Sequence, residues 1–154
     1  MDDLMRIAGR IRAWVENERS FLSGLPEEVI RTRRNNQNRT IKQLLGHLVD
    51  SASNNHQRMV RLQYNQTLVF PDYTPDNDRW IAIQDYQQAD WPSLIRLWEA
   101  VNLHMAHIIG CIDPAALSNT WTDCEGNTVT LRQMAEGYLW HLDLHIRQIR
   151  ELAC

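Results

Sequence analysis

The chain has 154 residues, a formal net charge of −3 and 44% hydrophobic residues, which suits one domain over 1–154 with enough core to fold without disulfide or metal staples. Its positive charge is almost all arginine, Lys42 being the one lysine, and the mildly acidic balance excludes the broad basic footprint of a nucleic-acid binder. The acidic start Met1-Asp2-Asp3-Leu4 has no basic and apolar leader, and no apolar run reaches the roughly eighteen residues of a membrane span, so a cytoplasmic, membrane-free protein is expected.

Four segments carry helical periodicity. The first runs from about residue 3 to 23 with Ile7, Ile11, Trp14, Val15 and Leu22 on its apolar face, and stops at Gly24 before Pro26. The arginines 31, 33, 34 and 39 that follow are interleaved with Asn and Gln and read as a solvated loop. Thr40 and Gln43 form a capping box that opens a second helix reaching about residue 63. The connection 67–89, rich in Pro, Asp and Asn, is too long for a tight antiparallel turn and suits a crossover in a four-helix bundle. Asp90 caps a third helix with Trp91 and Pro92 in its first turn and an apolar face ending near Ile112. Thr130 and Gln133 repeat the capping box and begin the fourth, which runs almost to Cys154. Thr40-Ile41-Lys42-Gln43-Leu44 and Thr130-Leu131-Arg132-Gln133-Met134 start alike, thin grounds for a duplication. Strand signals are confined to 67–70 and 127–129 and require no sheet; Cys111, Cys124 and Cys154 are not at Cys-x-x-Cys spacing and read as reduced thiols.

The chemistry-bearing residues lie on the second and fourth helices. His141 and His145 are one turn apart, so both rings share a face and can reach one ion if a third ligand comes from a neighbouring helix. Three imidazoles would suit zinc, nickel, iron or copper and leave coordination positions open. The alternative is a pair of half-buried, hydrogen-bonded histidines. On the second helix His47, Asp50, Ser51, Asn54, Arg58 and Arg61 form a polar stripe, which is either a solvent face or, turned inward, the other half of a site. In the inward case Asp50 holds an imidazole by its second nitrogen or acts as a catalytic base. Asn54 and Arg58 would then be cosubstrate anchors, arginine being able to grip a carboxylate bidentately. His56, His104 and His107 read as packed or solvated, with His104 at the edge of a pocket in the other case. Trp140 projects away from the fourth helix's apolar centre, towards a dimer contact or a lid.

The run from Thr40 to Ala52 (TIKQLLGHLVDSA), then Asn54-Asn55-His56-Gln57-Arg58, Thr130-Leu131 and Tyr138-x-x-His141-Leu142-x-x-His145-x-x-Gln148-Ile149, resembles the DinB/YfiT-like superfamily. The resemblance spans most of the chain. It implies an all-α four-helix bundle, often a homodimer, with a divalent metal, zinc or nickel, on His47, His141 and His145. It also implies an enzyme acting on a small molecule, either a transferase using a low-molecular-weight thiol such as bacillithiol or mycothiol, or a hydrolase. The second reading is a non-catalytic bundle that binds metal or a small ligand. One departure stands out: where similar sequences often carry a carboxylate one turn before His141, this chain has Gly137.

Overall fold

The computed structural model describes residues 2–154. Four long helices carry the fold: α1 (Asp2–Ser23), α3 (Ile41–Leu62), α5 (Trp91–Gly110) and α6 (Leu131–Ala153), with short helices α2 (Glu27–Thr32) and α4 (Asn77–Ile83) in the connections. Their starts follow from local chemistry. The Thr40 hydroxyl accepts from the Gln43 backbone N–H at 3.2 Å while the Gln43 side chain accepts from the Thr40 N–H at 3.0 Å, and Thr130 with Gln133 does the same for α6. The Asp90 carboxylate accepts from the Ser93 N–H and caps α5. That helix ends at Gly110, leaving Ile112 buried just outside it.

Side-chain pairs fix the helix directions. Trp91, at the start of α5, donates to the Leu22 carbonyl at the end of α1, and Gly110 faces Met5 and Ala8, so α1 and α5 are antiparallel. Asp3 meets Arg132 and Glu18 meets Arg150, so α1 and α6 run parallel. His47 faces His145 and Ser51 faces His141, making α3 and α6 antiparallel. Thr40 bonds Gln87 just before α5, and further along His56 meets His104, so α3 and α5 are parallel neighbours. The long connection expected to be a crossover is therefore one. It carries the chain from the far end of α3 back to the near end of α5, about 30 Å at 1.5 Å per residue. Across the centre, on the diagonal between α5 and α6, the buried Tyr138 hydroxyl donates to Asn102 Oδ1 at 2.7 Å.

The expectation that no sheet would form needs correction. β1 (Thr67–Leu68), β2 (Thr120–Thr122) and β3 (Thr128–Thr130) make a small sheet in that order, with β1 parallel to β2 and β2 antiparallel to β3; Leu68 pairs with Trp121 and Trp121 with Val129. Two- and three-residue strands are too short to show alternation, and Gly126, at φ 85°, makes the turn between β2 and β3. The sheet closes one end of the space between α3 and α6. No helix among the described residues is long and apolar enough to cross a membrane.

Candidate metal centre

The helical period splits the polar stripe of α3 in two. His47, Ser51, Asn55 and Arg58 face α6 and line an open cavity of about 330 Å³, whose opposite wall is α6 around Gly137, Tyr138 and His141 and which Tyr73, Trp121 and Asp123 also line. Asp50 points to Tyr86 and Gln84 instead, and Asn54 is not part of the lining. The Asp50 carboxylate accepts from the Tyr86 hydroxyl at 2.6 Å and the Gln84 amide at 2.7 Å, and the Asn54 amide donates to the Asp50 carbonyl. The role of imidazole support or base that the sequence suggested for Asp50 is thus not one its hydrogen bonds serve, and Asn54 does not line the cavity. His104 lies in a separate groove with His56.

His47, 2% exposed, His141 and His145 turn their Nε2 atoms towards one point. His141 Nε2 is 3.1 Å from His47 Nε2 and 3.1 Å from His145 Nε2, and the candidate donor atoms of all three rings lie within 4.8 Å of one another. An ion with metal–nitrogen distances of about 2.0–2.1 Å holds neighbouring imidazole nitrogens about 3.0–3.4 Å apart. Proton counting agrees with a cation between them. His145 Nδ1 faces the Gln148 carbonyl oxygen at 2.9 Å, so its proton sits there and its Nε2 is a bare lone pair. One N–H on His141 Nε2 can donate to only one of its two neighbours, and a proton on His47 Nε2 instead leaves two lone pairs facing each other. The three nitrogens hold more lone pairs than protons, which fits a shared cation. Among the described residues, no other group of His, Cys, Asp and Glu converges in this way.

Burial, followed by the neighbouring imidazoles, pushes the pKa of His47 down to about 2; burial and then the His145 ring push His141 down to about 3. Burial lowers His145 as well, against its bond to Gln148. All three imidazoles are therefore neutral at physiological pH. Around them, the Ser51 hydroxyl meets His141 Nδ1 at 3.3 Å, and Asn35 donates to the Gln148 oxygen. Sequence reasoning missed both supports, although Ser51 is one turn from His47 and Gln148 one turn from His145, the spacing at which a supporting side chain is found.

Further along the cavity, Arg58 is 5% exposed and its guanidinium lies 4.3 Å from the centre of the Trp121 ring. Burial draws its pKa below the ordinary guanidinium range. Tyr73 is pushed up to about 12, by burial first and the nearby Asp50 second, so its hydroxyl keeps its proton. Gly137 lines the same space, and a Cβ there would meet nothing within 4 Å: the departure from the family pattern leaves the cavity wider beside His141. The arginines of the loop before α3 are engaged within the chain: Arg31 with Glu27, Arg33 with the Leu152 carbonyl and Arg39 with Asp78.

Fold and site together define a helical bundle with a three-histidine centre at the bottom of an open cavity. The chain belongs to the DinB superfamily, which matches residues 12–149. The solved structure of YfiT from Bacillus subtilis, described as a probable metal-dependent hydrolase with an unusual four-helix bundle topology, aligns with a TM-score of 0.81 at 18% identity over 98% of this chain and 84% of that chain. No curated protein matches the chain.

Proposed function

We propose that this protein is a divalent-metal-dependent enzyme acting on a small molecule, with His47, His141 and His145 as the ligands and zinc or nickel as the ion. The observation that carries the reading is the convergence of three imidazole nitrogens, from buried His47 and His145 and half-buried His141, beside a cavity open to solvent. A structural site would be closed by a fourth protein ligand, whereas three ligands leave a position facing the cavity. When bound, such an ion supplies Lewis acidity, lowering the pKa of a water or thiol so that a nucleophile exists near neutral pH.

The chain's own residues set up the rest. Gln148 fixes the His145 tautomer, and Ser51 steadies His141 from its other nitrogen. Tyr73, held protonated in the cavity wall, can donate a hydrogen bond to a substrate oxygen on which negative charge develops. The apolar faces of Trp121, Val129 and Met134 strip water from the entering molecule. Hydrolysis and thiol transfer differ only in which nucleophile is activated; the description of YfiT supports the first and the family resemblance the second.

Elemental analysis of protein purified without a nickel column should find about one equivalent of zinc or nickel, lost in His141→Ala. The same preparations, offered an ester and separately a thiol with an electrophile, should turn over one of them only when loaded. Metal-free wild type would sink the ligand assignment, and full loading with no turnover in either assay would favour a binding module instead.

A further inference from the structure

The buried Arg58 guanidinium lies in the same cavity without an adequate partner. Its nearest carboxylate oxygen, Asp72 Oδ1, is 3.9 Å from Nη1, beyond hydrogen-bond range, and Nε has no partner at all. Asp72 is committed elsewhere: Oδ1 accepts from the Thr74 N–H at 3.0 Å and its hydroxyl at 2.7 Å, and Oδ2 accepts from the Cys124 N–H at 3.1 Å. The other cavity acid, Asp123, holds its own turn through the Glu125 and Asn127 N–H groups at 2.9 and 2.8 Å. Both carboxylates are occupied in folding the loops that line the cavity, and the one cation beside them has N–H donors to spare. A buried cation in that state is unfavourable unless something supplies an acceptor.

The supplied group is best a carboxylate. The guanidinium, centred 4.3 Å over the Trp121 ring, carries its N–H groups in a planar fork, and a planar two-oxygen acceptor matches that fork. A dianionic phosphate would be repelled more strongly by Asp72 and Asp123 close by. We propose that Arg58 is the carboxylate-binding subsite of this cavity. Its second half rests on the metal-dependent reading above: the substrate is a small carboxylic acid whose reacting group lies about 16 Å away at the imidazoles, the axial distance between the His47 and Arg58 levels of α3 at 1.5 Å per residue.

The test uses two probes too short to span that distance, propionate and inorganic phosphate, titrated into wild type, Arg58→Met and His141→Ala. The Arg58 Nε–H resonance and the dissociation constants are followed, and metal content is measured on the same samples. Propionate should move the wild-type resonance saturably and bind more tightly than phosphate. Arg58→Met should weaken it by about tenfold or more, the loss expected for a charge-assisted hydrogen bond, while His141→Ala leaves it unchanged. An unmoved resonance in wild type, which needs no variant to fold, overturns the subsite, as does affinity lost in His141→Ala and kept in Arg58→Met. Tighter phosphate binding overturns the choice of carboxylate. Since metal content is read separately, absence of metal with propionate still on Arg58 would remove the metal reading alone.

Discussion

His145 comes to the centre with its tautomer already decided, because its Nδ1 meets a carbonyl oxygen, that of Gln148. That oxygen is itself held: Asn35 donates to it from the turn before α3, and the Asn35 side chain is fixed in turn by accepting from the Gln37 and Arg39 N–H groups. A turn on one side of the bundle thereby sets which nitrogen of a histidine on the other side carries a lone pair. Replacing Gln148 with Leu removes the acceptor while keeping the bulk. The expected outcome is a drop of about ten- to a hundredfold in metal affinity, read by competition with a chelator, with Gln148→Glu restoring it as a stronger acceptor. Equal affinity in wild type and Gln148→Leu would show that packing alone orients the ring. Ser51 is the weaker support, at 3.3 Å from His141 Nδ1.

At the scale of helices, two glycines in helix interiors make opposite predictions. A Cβ on Gly46 would lie 2.2 Å from the Tyr86 ring, and that ring cannot retreat without losing its buried hydroxyl bond to Asp50. Gly46→Ala should therefore destabilise by about 1–3 kcal/mol, the usual range for overpacking. A Cβ on Gly137 meets nothing, so Gly137→Ala should stabilise by about 0.5–1 kcal/mol through helix propensity. Denaturant midpoints decide both, and the same sign for the two would contradict this packing. The long helices, their caps and the crossover were legible because capping boxes and a 3.6-residue period are local signals. The three imidazoles were legible only as a possibility: an i, i+4 pair does not say which way a neighbouring stripe faces, and the family pattern supplied that. Asp50 was misplaced because the stripe on α3 is wider than the cavity, and about 100° per residue sets position 50 about 60° away from His47, towards Tyr86 and Gln84; Asn54, only about 20° from His47, is held by the Asp50 carbonyl and stays out of the lining. Trp121 and Asp72 were not foreseen beside Arg58, since Trp121 lies on a strand too short to register and Asp72 in the irregular loop that follows β1.

For the whole molecule, the histidine cluster is a joint between α3 and α6, and its state should be felt in global stability. The sign follows from the imidazoles. Folded His47 and His141 resist protonation down to about 2 and about 3, whereas in the unfolded chain they take up protons near the ordinary 6.5. Above 6.5 they are neutral in both states and contribute no pH dependence. Below 6.5 the unfolded chain binds protons that the folded chain cannot, so stability falls continuously as the pH drops towards the folded values. Chelator-treated protein should accordingly hold its Tm from pH 8 to 7 and lose it steeply from about 6.5 to 5. Saturating metal should raise the Tm at pH 7, since a ligand that binds only the folded state stabilises it by mass action. A variant with both His47 and His141 replaced by Asn keeps hydrogen-bonding capacity but leaves His145 alone to titrate there. Its Tm should decline less between pH 6.5 and 5 and should not respond to metal. Parallel Tm profiles for that variant and the chelated wild type would mean that the acid lability arises elsewhere, and that the joint between α3 and α6 is not where this bundle senses protons.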